Sequence, residues 1–530
     1  MTGCGDSDYL FAFFSLLLPI AHDFAPDFVI VSAGFDCLRG DPLGCMDVTP
    51  EGYSHLIHHL KSLANGKVLL VLEGGYNHDM SASAVTECVK SMIGHRPSSL
   101  SSLSPPMKST RESVMNTIAY LLPFYPSLHR WNTNEFMTSY PTPSCTQFNP
   151  PSQDIPTADI DQSMLVKPRG VKEDKCESGK IVIIHTGKSH IGHREKMNNS
   201  FEKPERIDMV ISKVMDDTSI EKNVIEVSCV SSDIEEDILR VHNKEFVDRM
   251  RMTQEMSHSE LEVVQVEWDH SFVTRGTWTA ATTAVAATIQ GVSSVVVDGS
   301  PNSLCIVRPP GHHSHPQKAS GFCFFNNVAI AANYARSRLG VDKVLIMDWD
   351  VHLGDGTIKC LQQREEDESI LYISVHRSDE GTFFPSSIDH DKAGRHILIP
   401  LSGGPMGDAE YMTIMHKLII PIAYSFCPSL ILVSAGFDCL RGDPLGGYEV
   451  SPCTLSTISH HLSAVAPLVC VMEGGYDLHS LSEGMCAVAK TLSKGVVEGR
   501  NEKGRKRAND VVLHTINSLV KDNAHRFSLL

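Results

Sequence analysis

The sequence predicts an α/β fold with a central, mostly parallel sheet. Between residues 179 and 495, short apolar runs rich in β-branched residues alternate with longer stretches of helical periodicity, as in a parallel sheet covered by helices on both faces. Polar motifs (RPPGHH, DWDVHLGDG, HRSDEGTFFP, SAGFD and EGGY) come at or directly after the ends of the five clearest runs, Leu304–Val307, Val344–Met347, Ile370–Val375, Leu430–Val433 and Leu468–Met472. Because ligands of open α/β sheets bind beyond the carboxyl ends of the strands, we expect these motifs to converge on one site.

An internal repeat sets the domain organisation. The sequence VSAGFDCLRGDPLG occurs at Val31–Gly44 and again at Val433–Gly446, and weaker similarity extends on both sides of each copy. A long stretch of the same domain precedes the second copy, whereas the first begins at the start of the chain. We therefore expect a partial, C-terminal portion of a domain at residues 1–130, a poorly ordered linker at 131–178 and a complete domain ending in a helix at 179–530.

The first copy is predicted to be incomplete. It contains Asp36 and Tyr76 but neither the HH nor the DWDVH motif, and a missing upstream part is favoured over a degenerate remnant because the retained motif is unblemished. Its strands, Phe28–Val31 and Val68–Leu72, would present an unpaired edge and uncovered apolar faces. We therefore expect residues 1–130 to dock on the second domain or a partner, or else to stay partly unfolded. Alone they should be insoluble or loosely folded, and the site of the second domain should function without them.

Composition excludes several classes of protein. The chain has 42% hydrophobic and 21% charged residues, which is ordinary for a soluble globular protein. A formal net charge of −17 argues against direct nucleic-acid binding and suits a basic peptide partner. The cysteines lack CxxC spacing, which indicates reduced thiols in the cytoplasm, the nucleus or both. The apolar stretches Tyr9–Ile20 and Thr277–Val297 are interpreted as helices of the fold, so no membrane contact is expected.

A metal site is predicted at the ends of two strands. Asp348, Asp350 and His352 are spaced i, i+2 and i+4, so an extended backbone would point them to one side, and Asp438 can join them from a neighbouring strand. Two carboxylates and one imidazole provide three ligands and leave the fourth zinc position open, as a catalytic site requires.

Other motifs supply candidate catalytic groups. The adjacent His312 and His313 are candidate acid and base groups, and Tyr476, on a Gly-Gly turn, is a candidate donor to an oxyanion. Each motif alone is weak, because paired histidines and GGY turns are usually structural. Five such motifs in order, each at a strand end, favour an active site.

The motifs PPGHHSHPQKASGFCFFNNVAIAA, DWDVHLGDGT, GTFFPSS, SAGFDCLRGDPLGG and EGGYDL together resemble class II histone deacetylases, in particular the tandem-domain class IIb. The resemblance covers Gly179–Gly495 fully and Gly5–Gly94 as a C-terminal portion. It implies an arginase/deacetylase-like three-layer fold. It also implies zinc-dependent hydrolysis of N6-acetyl-lysine in proteins such as histone tails or tubulin, with corepressor or cytoskeletal proteins as further partners.

The resemblance also implies a role for each matching position. Zinc would be bound by Asp350, His352 and Asp438. His313 would be the general base and acid, with His312 as its electrostatic partner, and Asp348 and Asp355 would hold these two imidazoles. Tyr476 would donate to the acetyl carbonyl, and the acyl-lysine tunnel would be formed by Phe322, Phe384, Gly321 and Leu445. A structural potassium site would be formed by Asp348, Ser374 and the backbone at His352.

Four positions depart from the family pattern or select within it. Leu353 replaces a histidine that is not a zinc ligand, and Asp355 replaces the asparagine common in class II, which should raise the basicity of His313. The loop Asn199–Arg206 is altered, which affects the rim of the tunnel. Leu445 stands where polyamine deacetylases of this family carry a glutamate, so acetyl-lysine in proteins is the expected substrate.

Two other hypotheses remain open at this point. An arginase-like binuclear manganese hydrolase shares the sheet but needs further Asp ligands beside DWDVH. A non-catalytic scaffold or corepressor subunit would bind acetylated proteins without turnover. The basic cluster Arg500–Arg507 is a weak nuclear signal and more often a solvated loop.

Overall fold

The computed structural model describes residues 3–100, 103–130, 180–195, 200–228, 230–231, 233–268, 271–362, 368–386, 396–499 and 507–529. The predicted linker at 131–178 and nearly all of the basic cluster at 500–507 lie outside the described residues. The strands are β1 (Val29–Ala33), β2 (Val68–Leu72), β3 (Ile181–His185), β4 (Lys222–Glu226), β5 (Asn302–Ile306), β6 (Val344–Asp348), β7 (Ile370–Arg377), β8 (Ile397–Leu401), β9 (Leu430–Ala435) and β10 (Leu468–Met472).

The helices include two π-helical segments, Phe13–Leu17 and Met415–Ile419, each between two short α-helices. The α-helices are α1 (Asp6–Ala12), α2 (Leu18–Phe24), α3 (Pro50–Leu60), α4 (His78–Met92), α5 (Lys108–Leu121), α6 (Glu205–Asp216), α7 (Ile234–Leu239), α8 (Lys244–Met252), α9 (His258–Glu267), α10 (Thr277–Val296), α11 (Asn327–Ser337), α12 (Asp355–Gln362), α13 (Asp408–Ile414), α14 (Ile420–Phe426), α15 (Pro452–Val465), α16 (Leu478–Lys494) and α17 (Asp510–Asn523).

Eight parallel strands form the main sheet, in the order β4-β3-β5-β10-β9-β6-β7-β8. All five predicted runs are strands, with bounds that differ by a few residues at most, so the predicted α/β class and parallel sheet are confirmed. These five strands are consecutive neighbours in the sheet, from β5 through β10, β9 and β6 to β7. Their five polar motifs therefore lie side by side at one edge, which brings the site together.

The sheet is the middle of three layers. Alternate side chains of β3 point to opposite faces, so Ile183 belongs to the same core cluster as Ile207 of α6, while Val182 belongs to another with Ala284 of α10 and Ala331 of α11. Within the described residues, α10 is the helix long and apolar enough to cross a membrane, and most of it is buried in this layer. A buried helix over this stretch is what the sequence predicted.

The first copy reproduces the end of the second. Strands β1 and β2 pair in parallel as β9 and β10 do, and helices α3, α4 and α5 correspond to α15, α16 and α17. The strand faces differ, because Ile30 is 65% exposed whereas its counterpart Leu432 is fully buried. The predicted uncovered apolar faces of the first copy are thus confirmed among the described residues.

The first copy docks on the second through α3 and α15. Nε2 of His58 donates to the carbonyl of His460 at 2.9 Å, and Nε2 of His460 donates to the carbonyl of His58 at 2.7 Å. The two rings stack with their centroids 4.2 Å apart. Through this reciprocal contact between equivalent residues the first copy docks on the second domain, which is one of the outcomes that the sequence left open.

Candidate active site

Asp350, His352 and Asp438 form a compact group beyond the ends of β6 and β9. Their ligand atoms all lie within 4.8 Å of one another, and Nδ1 of His352 is 3.1 Å from Asp350 and 3.2 Å from Asp438. Both carboxylates are fully buried, and backbone N–H groups of Val351 and Gly474 orient them. This arrangement has two carboxylate donors and one imidazole donor, which fits a catalytic zinc.

The electrostatics of this group also fit a cation. Burial and the charge of Asp350 raise the pKa of Asp438 to about 7. Burial alone would lower the pKa of His352, but hydrogen bonds to Asp350 and Asp438 raise it to about 9. The buried carboxylates of Asp350 and Asp438 repel each other, and a divalent ion bound between them would reduce this repulsion.

Asp348 does not join this group, so the prediction from an extended backbone is wrong. Strand β6 ends at Asp348, and the chain then bends, so the i, i+2, i+4 spacing no longer places the three side chains on one face. Instead, an oxygen of Asp348 accepts hydrogen bonds from Nδ1 of His312 at 3.2 Å and from the hydroxyl of Tyr372 at 2.8 Å. The carboxylate thus holds an imidazole, as the family resemblance implied.

The two adjacent histidines after β5 have different environments. Nδ1 of His313 donates to Asp355 at 2.8 Å, and the rings of His312 and His313 lie 4.1 Å apart. Burial would lower the pKa of His312, but the carboxylates of Asp350 and Asp348 raise it well above its usual value. Burial and the neighbouring His312 lower the pKa of His313 to about 4. His313 is therefore neutral near pH 7, so that a ring nitrogen can act as a base, whereas His312 is suited to carry charge.

Tyr476 reaches the site because of the glycines that precede it. A side chain at Gly474 would place its Cβ 2.2 Å from Asp438, and Gly475 has a φ of +120° that disfavours other residues. The N–H of Tyr476 donates to Asp443 at 2.6 Å, and its ring is largely buried. The counterpart in the first copy, Tyr76, is 53% exposed.

A pocket of about 340 Å³ leads to the metal-type group. Its lining includes every residue predicted for the tunnel: Gly321, Phe322, Phe384 and Leu445, together with His313, His352, Phe383 and Tyr476. Phe384 lies edge-on to His313 with ring centroids 5.0 Å apart, and Phe322 lies 5.8 Å from Tyr476. The pocket therefore has aromatic walls, an apolar rim at Leu445 and polar groups at its base.

Ser374 lies next to this site inside the sheet. It is the direct neighbour of Asp348 in the pairing of β6 with β7, and it is fully buried. Its hydroxyl is 3.0 Å from Nδ1 of His376.

Several residues that support the site were not predicted. Glu473 accepts the N–H groups of Gly311 and His312 at 2.6 and 3.1 Å. Arg206 is fully buried, donates to the carbonyls of Glu473 and Gly475, and lies over the ring of Tyr476 at 5.0 Å. Arg206, the last residue of the altered segment, therefore binds the backbone on both sides of Gly474 and packs against the ring of Tyr476. Glu473 is the first residue of the EGGY motif, so this motif was the feature of the sequence that could have identified it.

The first copy has no such group. In the part of the chain that the structure describes, the groups of three or more residues able to hold a metal are this one and a cluster of histidines elsewhere. Asp36 belongs to neither of them. Within the described residues, Asp350 belongs to one such group.

These features define the class of protein. The family profile of the histone deacetylase domain matches residues 1–92 and 200–492, so the chain belongs to the histone deacetylase family, which is zinc-dependent in general. It is of class II and similar to histone deacetylase 6 of Caenorhabditis elegans, with 39% identity over 517 residues, which is 93% of this chain and 53% of that protein.

Two other comparisons agree. Polyamine deacetylase HDAC10 of Homo sapiens is 37% identical over 301 residues, covering 55% of this chain and 44% of that protein. The crystal structure of the HDA15 HD domain superposes with a TM-score of 0.58 at 28% identity, covering 66% of this chain and 98% of that one. The deacetylase-like fold is thereby confirmed. The chain spans about half the length of the curated relatives it matches.

Proposed function

We propose that the second copy, residues 179–530, is a zinc-dependent deacetylase that hydrolyses N6-acetyl-lysine in proteins to lysine and acetate. The observation that carries the proposal is the group Asp350, His352 and Asp438 at the base of an aromatic pocket, beside an imidazole with a lowered pKa. Residues 1–130 are proposed to be a partial copy without activity, because among its described residues Asp36 is the counterpart of Asp438 and no counterpart of Asp350 or His352 accompanies it.

Asp350, His352 and Asp438 would hold the zinc. When bound, zinc polarises the acetyl carbonyl and makes water a better nucleophile. Backbone N–H groups keep the carboxylates in place, and Phe383 stacks on His352 at 5.1 Å, so the ligands are positioned before substrate arrives.

His313 would transfer the proton. Its Nδ1–H is held by Asp355, so Nε2 carries the lone pair that removes a proton from the attacking water. The same nitrogen then donates that proton to the leaving amine. His312, held by Asp348, stays charged and favours the negative charge that develops on the acetyl oxygen.

The pocket would select an acylated lysine. Phe322 and Phe384 flank the apolar stem of the side chain, and the hydroxyl of Tyr476 donates to the acetyl oxygen as it gains charge. Leu445 places no charge at the rim, so a substrate with a distant second ammonium gains nothing there. Acetyl-lysine in a polypeptide is accordingly preferred over an acetylated polyamine.

Substrates, partners and location complete the proposal. The net charge of −17 favours basic segments such as acetylated histone tails, and similarity to histone deacetylase 6 supports tubulin as a second substrate. Corepressor or cytoskeletal proteins are proposed as further partners, in the cytoplasm, the nucleus or both.

A structural potassium ion is proposed near Asp348, Ser374 and the backbone at His352. Asp348 and Ser374 are paired neighbours on β6 and β7 and both are fully buried, so their side chains lie on the same face of the sheet. Hard cations of this kind prefer carboxylate, hydroxyl and carbonyl oxygens.

The test is turnover by the full chain on acetylated histone and tubulin peptides. Asp438→Asn should lose the zinc of the pocket and deacetylation together, because it removes one of the three ligands of that ion. Asp36→Asn, the same change at the equivalent position of the first copy, should alter neither. Metal-free Asp438→Asn protein with full activity would overturn the proposal, and zinc binding without turnover would favour the non-catalytic alternative.

A further inference from the structure

Three buried histidines meet between the two copies, away from the pocket. His22 comes from α2 of the first copy, whereas His416 lies in the π-helical segment Met415–Ile419 and His461 in α15 of the second. They are at most 3% exposed, and their ligand nitrogens lie within 4.8 Å of one another. The ligand atoms of the proposed catalytic group lie within the same distance of one another.

A chain of hydrogen bonds determines which nitrogens carry protons here. Nε2 of His55 lies 3.0 Å from the carbonyl of Ser98, which can only accept, so this nitrogen is the donor. Burial lowers the pKa of His55 to about 4, so the ring is neutral and its Nδ1 accepts. The partner of Nδ1 is the hydroxyl of Tyr424 at 2.7 Å, which therefore donates to His55.

The same logic continues to His461. Because the hydroxyl hydrogen of Tyr424 is committed to His55, its oxygen accepts from Nε2 of His59 at 2.8 Å. Nδ1 of the buried, neutral His59 must then accept from Nδ1 of His461, which is 2.8 Å away. Nε2 of His461 is left with a bare lone pair. Among the described residues this buried atom has no hydrogen-bond partner.

A buried lone pair without a partner is costly, and a cation bound to it removes that cost. His22 and His416 lie beside His461, with ring centroids 6.3 and 6.0 Å from it and 5.6 Å from each other. Metal-binding histidines usually donate their other N–H to a neighbour, which His461 does toward His59. Zinc is commonly bound by imidazole nitrogens at about 2.0–2.1 Å, and with three protein ligands it retains an open fourth position.

One residue of the cluster lines a small cavity. His22 lines a small cavity of about 60 Å³ together with Ser62, whose hydroxyl is 3.5 Å from Nε2 of His22. His22 is therefore the member of the cluster that lines this cavity.

We propose that His22, His416 and His461 bind a zinc ion that ties the first copy to the second. One ligand comes from the first copy and two come from the second, so an ion held by all three links segments about four hundred residues apart in the chain. An ion that binds only this folded arrangement stabilises it.

The test is the zinc content of the full chain, purified without a polyhistidine tag and measured by plasma mass spectrometry. We expect two zinc ions per wild-type chain, one ion after His22→Gln, and two after His58→Gln. His58 is the matched control, since it is buried in the same interface but lies outside the cluster. A zinc content that His22→Gln leaves unchanged, or that His58→Gln lowers equally, would overturn the proposal.

A second measurement serves if His22→Gln fails to fold. X-ray absorption of zinc-loaded Asp438→Asn protein, which lacks a proposed catalytic ligand, should show about three imidazole nitrogens around zinc, and zinc should raise its melting temperature. Protein of this variant that binds no zinc would contradict the site. The expected totals rest on the proposed catalytic zinc, but a chain without that ion would lower the zinc content of the wild type, His22→Gln and His58→Gln by the same amount. The loss of one zinc ion on His22→Gln alone therefore tests the histidine cluster independently of the deacetylase proposal.

Discussion

His313 and Asp355 share one hydrogen bond of 2.8 Å, and the second oxygen of the same carboxylate accepts another from Nε2 of His315 at 2.7 Å. Despite burial, these two bonds hold the pKa of Asp355 well below its usual value. The carboxylate is thus charged and fixed on both sides, and it orients His313 with Nε2 toward the pocket.

We expect His313→Ala to lower kcat by about 10²–10⁴, the usual contribution of a general acid–base group. Its zinc content should not change, because His313 is not a ligand. The matched control is His315→Ala, which removes the other partner of Asp355 from outside the pocket. Steady-state kinetics of both variants test this role, and an equal loss in the two would assign the effect to Asp355.

Tyr476→Phe should keep the fold and the zinc but lose about 10²–10³ in kcat, since one donor to an oxyanion contributes that much. The same change at the exposed Tyr76 of the first copy should have no effect. Turnover of an acetyl-lysine peptide at saturating concentration provides the comparison. A rate for Tyr476→Phe close to that of the wild type would place the donor elsewhere.

Leu445→Glu should shift the ratio of kcat/KM toward acetylspermidine and away from acetylated peptides. The added carboxylate at the rim would attract the distant ammonium of the polyamine. Leu43→Glu, at the equivalent exposed position of the first copy, should leave the ratio unchanged. Wild-type protein that already prefers acetylspermidine would contradict the interpretation of Leu445.

Leu432→Ala should lower the free energy of unfolding by about 2–5 kcal/mol, as for other fully buried leucines. Ile30→Ala, at the same position of the repeat, should change it by about 0.5 kcal/mol or less, because that side chain is 65% exposed. Urea denaturation measures both. Similar losses in the two variants would mean that β1 is covered in solution.

Much of the active site was predictable because its residues follow buried strands. Parallel strands place their carboxyl ends at one edge, so motifs after β5, β6 and β10 had to meet. The prediction for Asp348 was wrong because periodicity is informative only while a strand continues, and β6 ends at that residue. The resemblance to known deacetylases corrected the role that spacing had assigned.

The sequence by itself determined the α/β class, the repeat and the residues of the pocket, since these depend on local patterns of apolar and polar residues. The tertiary structure alone decided that Arg206 is buried under Tyr476 and that His22 meets His416 and His461. Neither contact has a local pattern, because each joins segments hundreds of residues apart. The burial of these side chains and the positions of their protons depend on the residues that pack around them, and only the folded chain specifies those neighbours.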